Sequence, residues 1–351
     1  MPSIHALSKV LRRPEARPAP RGALPLVSAL LGAALALSAL PTAAGPLRDR
    51  LEARRAAAME RRDAGDTAAR EGLEVEEGGA GTGQANLPAG VVRIADVAYG
   101  ADPRQRFDVY RPARGEGAPV LVMVHGGAWR IGDKGARGVV ENKVAHWVPR
   151  GFIFVSVNYR LLPQADPRTQ AEDVARALAA VQAQAAGWGG DPAKVVLMGH
   201  SAGAHLAALL GAAPQRAARF EAKPWLGTVA LDSAVLDVKR IMTARHYRFY
   251  DPAFGTDPAY WQATSPITAL AAGAPPLLLV CSSTRPDQPC AQAHDFARHA
   301  QGLGVRAEVT EQAKSHKQIN EELGTPGDYT ARVDAFLSSL DAAVAKRLEL
   351  R

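Results

Sequence analysis

One short stretch of the chain constrains its fold more than any other. The apolar residues 195–198 run into Gly199-His200-Ser201-Ala202-Gly203, and an alanine-rich segment follows. A serine at the tip of a strand-to-helix turn takes a strained backbone conformation, and its neighbours two positions away must be small because strand and helix nearly touch there. The stretch therefore predicts a strand, a tight turn and a helix. An ordinary Gly/Ser turn in an α/β domain is the alternative interpretation.

Segments typical of strands and helices alternate on both sides of this turn. The candidate strands are residues 91–99, 106–110, 120–124, 152–158, 195–198, 228–231, 277–281 and 306–310. The candidate helices are residues 138–148, 169–186, 202–212, 288–302 and 328–347. Short apolar strands separated by helices predict an α/β fold, with a mostly parallel central sheet of about eight strands and helices on both faces. The first two strands have no helix between them, so we expect an antiparallel start.

The N-terminal part of the chain is predicted to lie outside this domain. Residues 1–44 combine a basic start, an apolar run over 23–40 and the small residues Pro41-Thr42-Ala43-Ala44. This pattern predicts a signal peptide cleaved after Ala44, and hence a periplasmic or secreted protein; an uncleaved N-terminal membrane anchor is the alternative. Residues 45–89 are interpreted as a charged helical or flexible segment and linker, and residues 90–347 as the folded domain.

The charge of the chain does not indicate a nucleic-acid partner. The net charge is +7, and residues 1–44 contribute +4 of it, which leaves +3 for the rest. The remaining Lys and Arg are interleaved with Asp and Glu, without a basic patch that contains aromatic residues. The only membrane contact expected is through an uncleaved N-terminal segment.

A serine hydroxyl becomes a good nucleophile when a base takes its proton and an acid orients that base. In open α/β sheets such groups follow the C-terminal ends of strands, so an acid and a histidine are expected after strands downstream of Ser201. His316 directly follows the last candidate strand and is the predicted base. Asp287 follows the strand before it and is the predicted acid, with Asp232 as its rival. We therefore expect Asp287→Asn to lower turnover more than Asp232→Asn.

A second loop is suited to stabilise an oxyanion. The apolar strand 120–124 ends in His125-Gly126-Gly127-Ala128-Trp129, where missing side chains let main-chain N–H groups face a substrate. The N–H of Ala202, directly after Ser201, completes such a site. His125 is expected to brace the loop, and Trp129 either lines a pocket or packs in the core. The aromatic-rich residues 237–264 are predicted to be irregular and to cover part of the site.

Several motifs together resemble the α/β-hydrolase superfamily. They are His-Gly-Gly-Ala-Trp at 125–129, Asn-Tyr-Arg-Leu at 158–161, Gly-Asp-Pro at 190–192, Gly-His-Ser-Ala-Gly-Ala-His at 199–205 and Ser-His at 315–316. The chain most resembles the carboxylesterase branch with a His-Gly-Gly loop, which includes BD-FAE-like and kynurenine-formamidase-like enzymes. The resemblance covers roughly residues 90–342. It implies a catalytic domain with Ser201 as nucleophile, His316 as base and Asp287 as acid. It also implies oxyanion donors at Gly127, Ala128 and Ala202, with Gly126 shaping the loop.

The expected activity is hydrolysis of a small carboxylic ester through an acyl-enzyme, with no metal or organic cofactor. An amidase or arylformamidase with the same residues is one alternative, and a non-catalytic binding protein on a hydrolase fold is another. The chain's two cysteines, Cys281 and Cys290, bracket the Asp287 loop. In an exported protein we expect them to form a disulfide, with two reduced buried thiols as the alternative.

Overall fold

The computed structural model describes residues 86–349, and an eight-stranded sheet runs through their centre. The strands are β1 (Val91–Ala98), β2 (Arg106–Pro112), β3 (Ala118–Val124), β4 (Ile153–Val157), β5 (Gly190–His200), β6 (Gly227–Leu231), β7 (Leu277–Ser282) and β8 (Ala307–Gln312). Their order is β1-β2-β4-β3-β5-β6-β7-β8. β2 pairs antiparallel with β1 and β4, and the other pairings are parallel. The predicted mostly parallel sheet and its antiparallel start are confirmed.

Helices cover both faces of the sheet. The first six are α1 (Arg137–Trp147), α2 (Pro167–Gln184), α3 (Ala202–Ala212), α4 (Gln215–Ala218), α5 (Val238–Thr243) and α6 (Asp251–Phe254). The others are α7 (Pro258–Thr264), α8 (Pro266–Ala269), α9 (Pro289–Gly302), α10 (His316–Glu321), α11 (Asp328–Ser338) and α12 (Ala342–Glu349). Two 3-10 turns occupy Ala185–Trp188 and Arg248–Tyr250.

Two expectations for the helices are wrong. The single helix predicted over 328–347 is two helices, because the chain turns at Asp341 and its carboxylate accepts the N–H of Ala343 at 2.8 Å. A carboxylate in this position satisfies a free donor and starts a new helix. The 237–264 segment, predicted to be irregular, forms short helices instead, two of which begin at an aspartate that accepts a main-chain N–H.

The strand β3 shows how the core is divided. All its residues are buried: Val120, Val122 and Val124 face the side covered by α2 and α3, while Leu121 and Met123 face the side covered by α1 and α11. A strand buried on both faces needs apolar residues at successive positions, which explains the unbroken apolar run. Because β3, β5, β6, β7 and β8 are parallel, their carboxyl ends lie along one edge of the sheet.

The predicted signal peptide at 1–44 and nearly all of the predicted segment 45–89 lie outside the described residues. Within residues 86–349, no helix combines the length and the apolar character needed to cross a bilayer.

Candidate active site

Ser201 occupies the turn between β5 and α3. Its φ of 55° and ψ of −118° lie in a region that L-residues rarely adopt, a strain of about 1–3 kcal/mol that functional turns retain. A Cβ at Gly199 would overlap the main chain of Gly203, and a Cβ at Gly203 would overlap the carbonyl oxygens of Val124 and His125. Only glycine fits at either position, so the spacing in the sequence reflects a real contact between strand and helix.

The loop after β3 presents main-chain donors next to this turn. Gly127, Ala128 and Trp129 all have positive φ values, of 111°, 48° and 60°. None of the hydrogen bonds among residues 86–349 uses the main-chain N–H of Gly127 or Ala128. The N–H of Ala202 is the first of α3, where the helix dipole favours negative charge. These donors can serve a developing oxyanion.

His125 braces this loop. Its Nδ1 lies 2.6 Å from the carbonyl oxygen of Gly126, and its ring stacks on Tyr159 with centroids 4.5 Å apart. The Tyr159 hydroxyl donates to the His125 carbonyl oxygen at 3.0 Å. Burial lowers the pKa of His125 to about 4, so the ring is neutral near pH 7 and Nδ1 carries the proton that Gly126 accepts.

His316 is the first residue of α10, and two sets of hydrogen bonds fix its position. Ser315 and Gln318 form a capping box, with the Ser315 hydroxyl accepting the Gln318 N–H and the Gln318 side chain accepting the Ser315 N–H. Ser282, at the end of β7, donates its hydroxyl to the Lys314 carbonyl oxygen at 2.6 Å. The His316 ring lies against the ring of His200, with centroids 4.5 Å apart. His316 is therefore held beside the residue that precedes Ser201.

The acid that contacts His316 is Asp232, so the assignment of Asp287 is corrected. His316 Nδ1 lies 2.6 Å from Asp232 Oδ2. Both Asp287 oxygens instead accept from Arg285, with Nε at 3.0 Å and Nη2 at 2.5 Å. The two aspartates follow neighbouring strands, and Arg285, two residues before Asp287, draws that carboxylate into an ion pair of its own.

Asp232 is fully buried and bonded at both oxygens. Oδ1 accepts the Ser282 N–H at 2.8 Å, and Oδ2 accepts both His316 and Arg285 Nη1, the latter at 2.8 Å. Burial alone raises the pKa of Asp232, but the Arg285 guanidinium and His316 override it and hold the pKa well below its ordinary value. Asp232 is therefore ionised at neutral pH and fixes the His316 tautomer with its proton on Nδ1.

Two aromatic residues of the 237–264 segment, Tyr250 and Phe254, pack on Trp129 in the loop that follows β3. Trp129 is 2% exposed and makes edge contacts with Phe254 at 4.9 Å and with His205 at 5.4 Å between centroids. Tyr250 lies 6.0 Å from the same ring. Of the two roles open for Trp129, the structure shows core packing, and its indole anchors the short helices against the loop.

A disulfide joins Cys281, in β7, to Cys290, in α9, with Cα atoms 5.2 Å apart. It closes the loop that carries Arg285 and Asp287, as expected from the sequence.

Together these elements bring a strained serine, a histidine with an ionised carboxylate behind it and a set of main-chain donors to one edge of the sheet. Such a set can activate a hydroxyl and stabilise a tetrahedral oxyanion.

A family model and several curated proteins match this chain. The BD-FAE family model matches residues 107–299. Esterase LipQ of Mycobacterium tuberculosis is 32% identical over 228 residues, which cover 61% of this chain and 54% of that protein. The probable carboxylic ester hydrolase LipM of the same organism is 31% identical over 250 residues, covering 64% and 57%. The chain thus spans just over half the length of these curated relatives.

Solved structures share the fold. The crystal structure of esterase B from Lactobacillus rhamnosis has a TM-score of 0.62 and 20% identity, covering 85% of this chain and 98% of that chain. Thermogutta terrifontis esterase 2 phosphonylated by sarin has a TM-score of 0.57 and 22% identity, covering 72% and 96%. At these identities the likeness shows the fold, which is that of the α/β-hydrolases.

Proposed function

Because the chain belongs to the BD-FAE family, we propose that it is a serine hydrolase of carboxylic esters in which Ser201, His316 and Asp232 act together. The observation that carries the proposal is the 2.6 Å contact between His316 Nδ1 and the buried Asp232 carboxylate. The N–H of Ser201 also donates to the carbonyl oxygen of Leu231 at 2.9 Å, so nucleophile and acid sit on adjoining strand ends. The relatives named as esterases support an ester as substrate.

The proposed reaction uses these residues as follows. Ser201 Oγ attacks the ester carbonyl as His316 Nε2 takes its proton, and Asp232 stabilises the imidazolium that forms. The carbonyl π electrons move onto oxygen, where the N–H groups of Gly127, Ala128 and Ala202 receive the charge. Collapse of the intermediate expels the alcohol, which takes the proton from His316, and leaves an acyl-enzyme. Water, deprotonated by His316, then releases the acid and restores the serine.

The test is hydrolysis of p-nitrophenyl acetate and butyrate by the wild type and by Ser201→Ala. We expect a loss of about 10³-fold or more in kcat, since the nucleophile cannot be replaced by the remaining donors. Ser339→Ala, an exposed serine after α11, is the matched control and should keep full activity. Equal turnover by wild type and Ser201→Ala would contradict the proposal. N-formylkynurenine in a parallel assay measures the preference for ester over amide.

We also propose that the protein is exported, with residues 1–44 removed. The Cys281–Cys290 disulfide supports this, because structural disulfides persist in oxidising compartments and are rare in the cytosol. The N-terminal mass of protein recovered from the periplasm or medium tests it. A start at Gly45 is expected, whereas full-length protein in the membrane fraction would indicate an anchor instead.

A further inference from the structure

Arg285 occupies an unusual place behind the candidate base. Its Nη1 lies 2.8 Å from Asp232 Oδ2, 3.1 Å from the Asp232 carbonyl oxygen and 3.0 Å from His316 Nδ1. Its Nε and Nη2 form a fork on the two oxygens of Asp287. The side chain is only 16% exposed. A single guanidinium therefore joins the acid that contacts His316 to a second carboxylate that does not.

This geometry has two consequences. Arg285 Nη1 and His316 Nδ1 both donate to Asp232 Oδ2. The carboxylate therefore cannot rotate without losing one of these two hydrogen bonds. The guanidinium also places a positive charge beside the ring that must become positive during the reaction. Asp287 offsets that charge, and the three groups together carry the same single negative charge as Asp232 alone.

We propose, on the basis of the function proposed above, that Arg285 is a positioning residue that aims Asp232 at His316, and that Asp287 is its counter-ion and offsets the positive charge beside that ring. Asp287 thus supports the acid without being the acid. Arg285 acts through Asp232, since both of its terminal nitrogens are already bonded to the two carboxylates.

The loop that delivers Arg285 is fixed at both ends. The Cys281–Cys290 disulfide closes it. At its start, the hydroxyls of Ser282 and Thr284 both donate to the carbonyl oxygen of Lys314, at 2.6 and 3.2 Å. The loop carrying the guanidinium and the loop carrying His316 are therefore bonded to each other, and their separation is set before a substrate arrives.

Several other ionisable groups also surround this cluster, and they are held constant in the test. They are His200 beside the ring, Tyr247 near Arg285 and Asp287, Tyr250 and Tyr329 near Asp232, Lys143 against α10, Lys317 and Glu321 within α10, and Lys314 and Glu322 on either side of it. Burial lowers the pKa of His200 well below its ordinary value, so His200 does not add a titration at neutral pH.

The experiment is the pH dependence of kcat/KM for p-nitrophenyl butyrate in Asp287→Asn, Arg285→Met and the double variant. Asp287→Asn leaves the guanidinium without its counter-ion. The acid limb of the profile, where kcat/KM falls at low pH, should therefore move down by about one pH unit. Arg285→Met leaves Asp287 unopposed, so the limb should move up by a similar amount. The double variant restores the charge of Asp232 alone, and its limb should return towards the wild type.

A second measurement separates positioning from charge. Arg285→Lys keeps the positive charge but not the fork, so its acid limb should stay near that of the wild type while kcat falls about tenfold and KM changes little. Arg306→Met is the matched control, because Arg306 pairs with Glu308 at the opposite end of the sheet. Its pH profile and kcat should equal those of the wild type. If Arg285→Met does not fold, Asp287→Asn and Arg285→Lys still carry the test.

Acid limbs that stay fixed, or that move in the same direction in Asp287→Asn and Arg285→Met, would overturn the inference. The serine hydrolase proposal stands or falls separately, on Ser201→Ala. A readout without activity uses the Ser201→Ala protein: the ring-proton NMR titration of His316, identified by its loss in His316→Asn, should shift with Asp287→Asn in the same direction as the acid limb.

Discussion

Replacing Asp232 by asparagine most directly tests the proposal that Asp232, and not Asp287, is the acid. The carboxylate accepts three donors, namely Ser282 N–H on Oδ1 and both His316 and Arg285 on Oδ2. An asparagine has one oxygen, which accepts, and one NH₂ group, which only donates. In either orientation, at least one of the three donors therefore faces the NH₂ group and loses its acceptor. If the oxygen faces Ser282, two charge-assisted bonds of about 1.5–3 kcal/mol each are lost.

A loss of about 3–6 kcal/mol corresponds to about 10²- to 10⁴-fold in kcat/KM, at about 1.4 kcal/mol per factor of ten. The assay is p-nitrophenyl butyrate hydrolysis on the plateau of the pH profile, with the melting temperature of each variant measured alongside. Asp287→Asn, the matched comparison, should lose less than about tenfold there, because among residues 86–349 the Asp287 carboxylate bonds only Arg285. The ranking expected from the sequence alone is thus reversed. A larger loss in Asp287→Asn, with both proteins folded, would refute the structural assignment.

Three further predictions concern the scaffold around the site. Gly203→Ala should lower the melting temperature and esterase activity together, because its Cβ overlaps the Val124 carbonyl oxygen and relieving such a clash costs about 1–3 kcal/mol; unchanged values of both would contradict the close contact. Removing the disulfide with Cys281→Ala/Cys290→Ala should lower the free energy of unfolding in urea by about 2–3 kcal/mol for so short a loop, and equal midpoints in oxidised wild type and variant would count against it. Burial lowers the pKa of Lys143 to about 7, below its unfolded value, so the unfolded chain binds more protons between about pH 7 and 10 and stability rises with pH across that window. Urea unfolding at pH 7 and 9.5 should show a smaller rise in Lys143→Met than in the wild type, and equal slopes would be evidence against the buried amine.

Most of the fold could be predicted from local pattern. The strands β3, β4, β6 and β7 are largely apolar runs because both of their faces are covered, and an apolar run is visible in a sequence. The turn at Ser201 could be predicted because two glycines at fixed spacing are required by sterics. The break at Asp341 was missed because one carboxylate accepting a nearby N–H decides it, and the surrounding residues suit a helix on either side.

The acid could not be chosen from the sequence for a different reason. Asp232 and Asp287 both follow a strand, and both precede His316 in the chain. What separates them is Arg285, which pairs locally with Asp287 and, through a tertiary contact, with Asp232. The position of Arg285 two residues before Asp287 was the available signal, since an arginine so close to a carboxylate competes with a histidine for it. The Ser315–Gln318 capping box was a second local signal, because it predicts that a helix begins at His316.

The candidate site is in effect an extension of the sheet. Beyond the regular pairings, the N–H of Ser201 donates to Leu231, that of Asp232 donates to Val280, and that of Ser283 donates to Gln312, at 2.9, 2.7 and 2.9 Å. These bonds continue the parallel ladder across β5, β6, β7 and β8 by one residue each. The loop that carries His316 contacts Ser282 at the end of β7 and Asp232 directly after β6. Neighbouring strands are about 4.8 Å apart, so the ends of both strands lie close to this loop. Asp232 directly follows β6 and reaches His316, whereas Arg285 holds the Asp287 carboxylate in a separate ion pair.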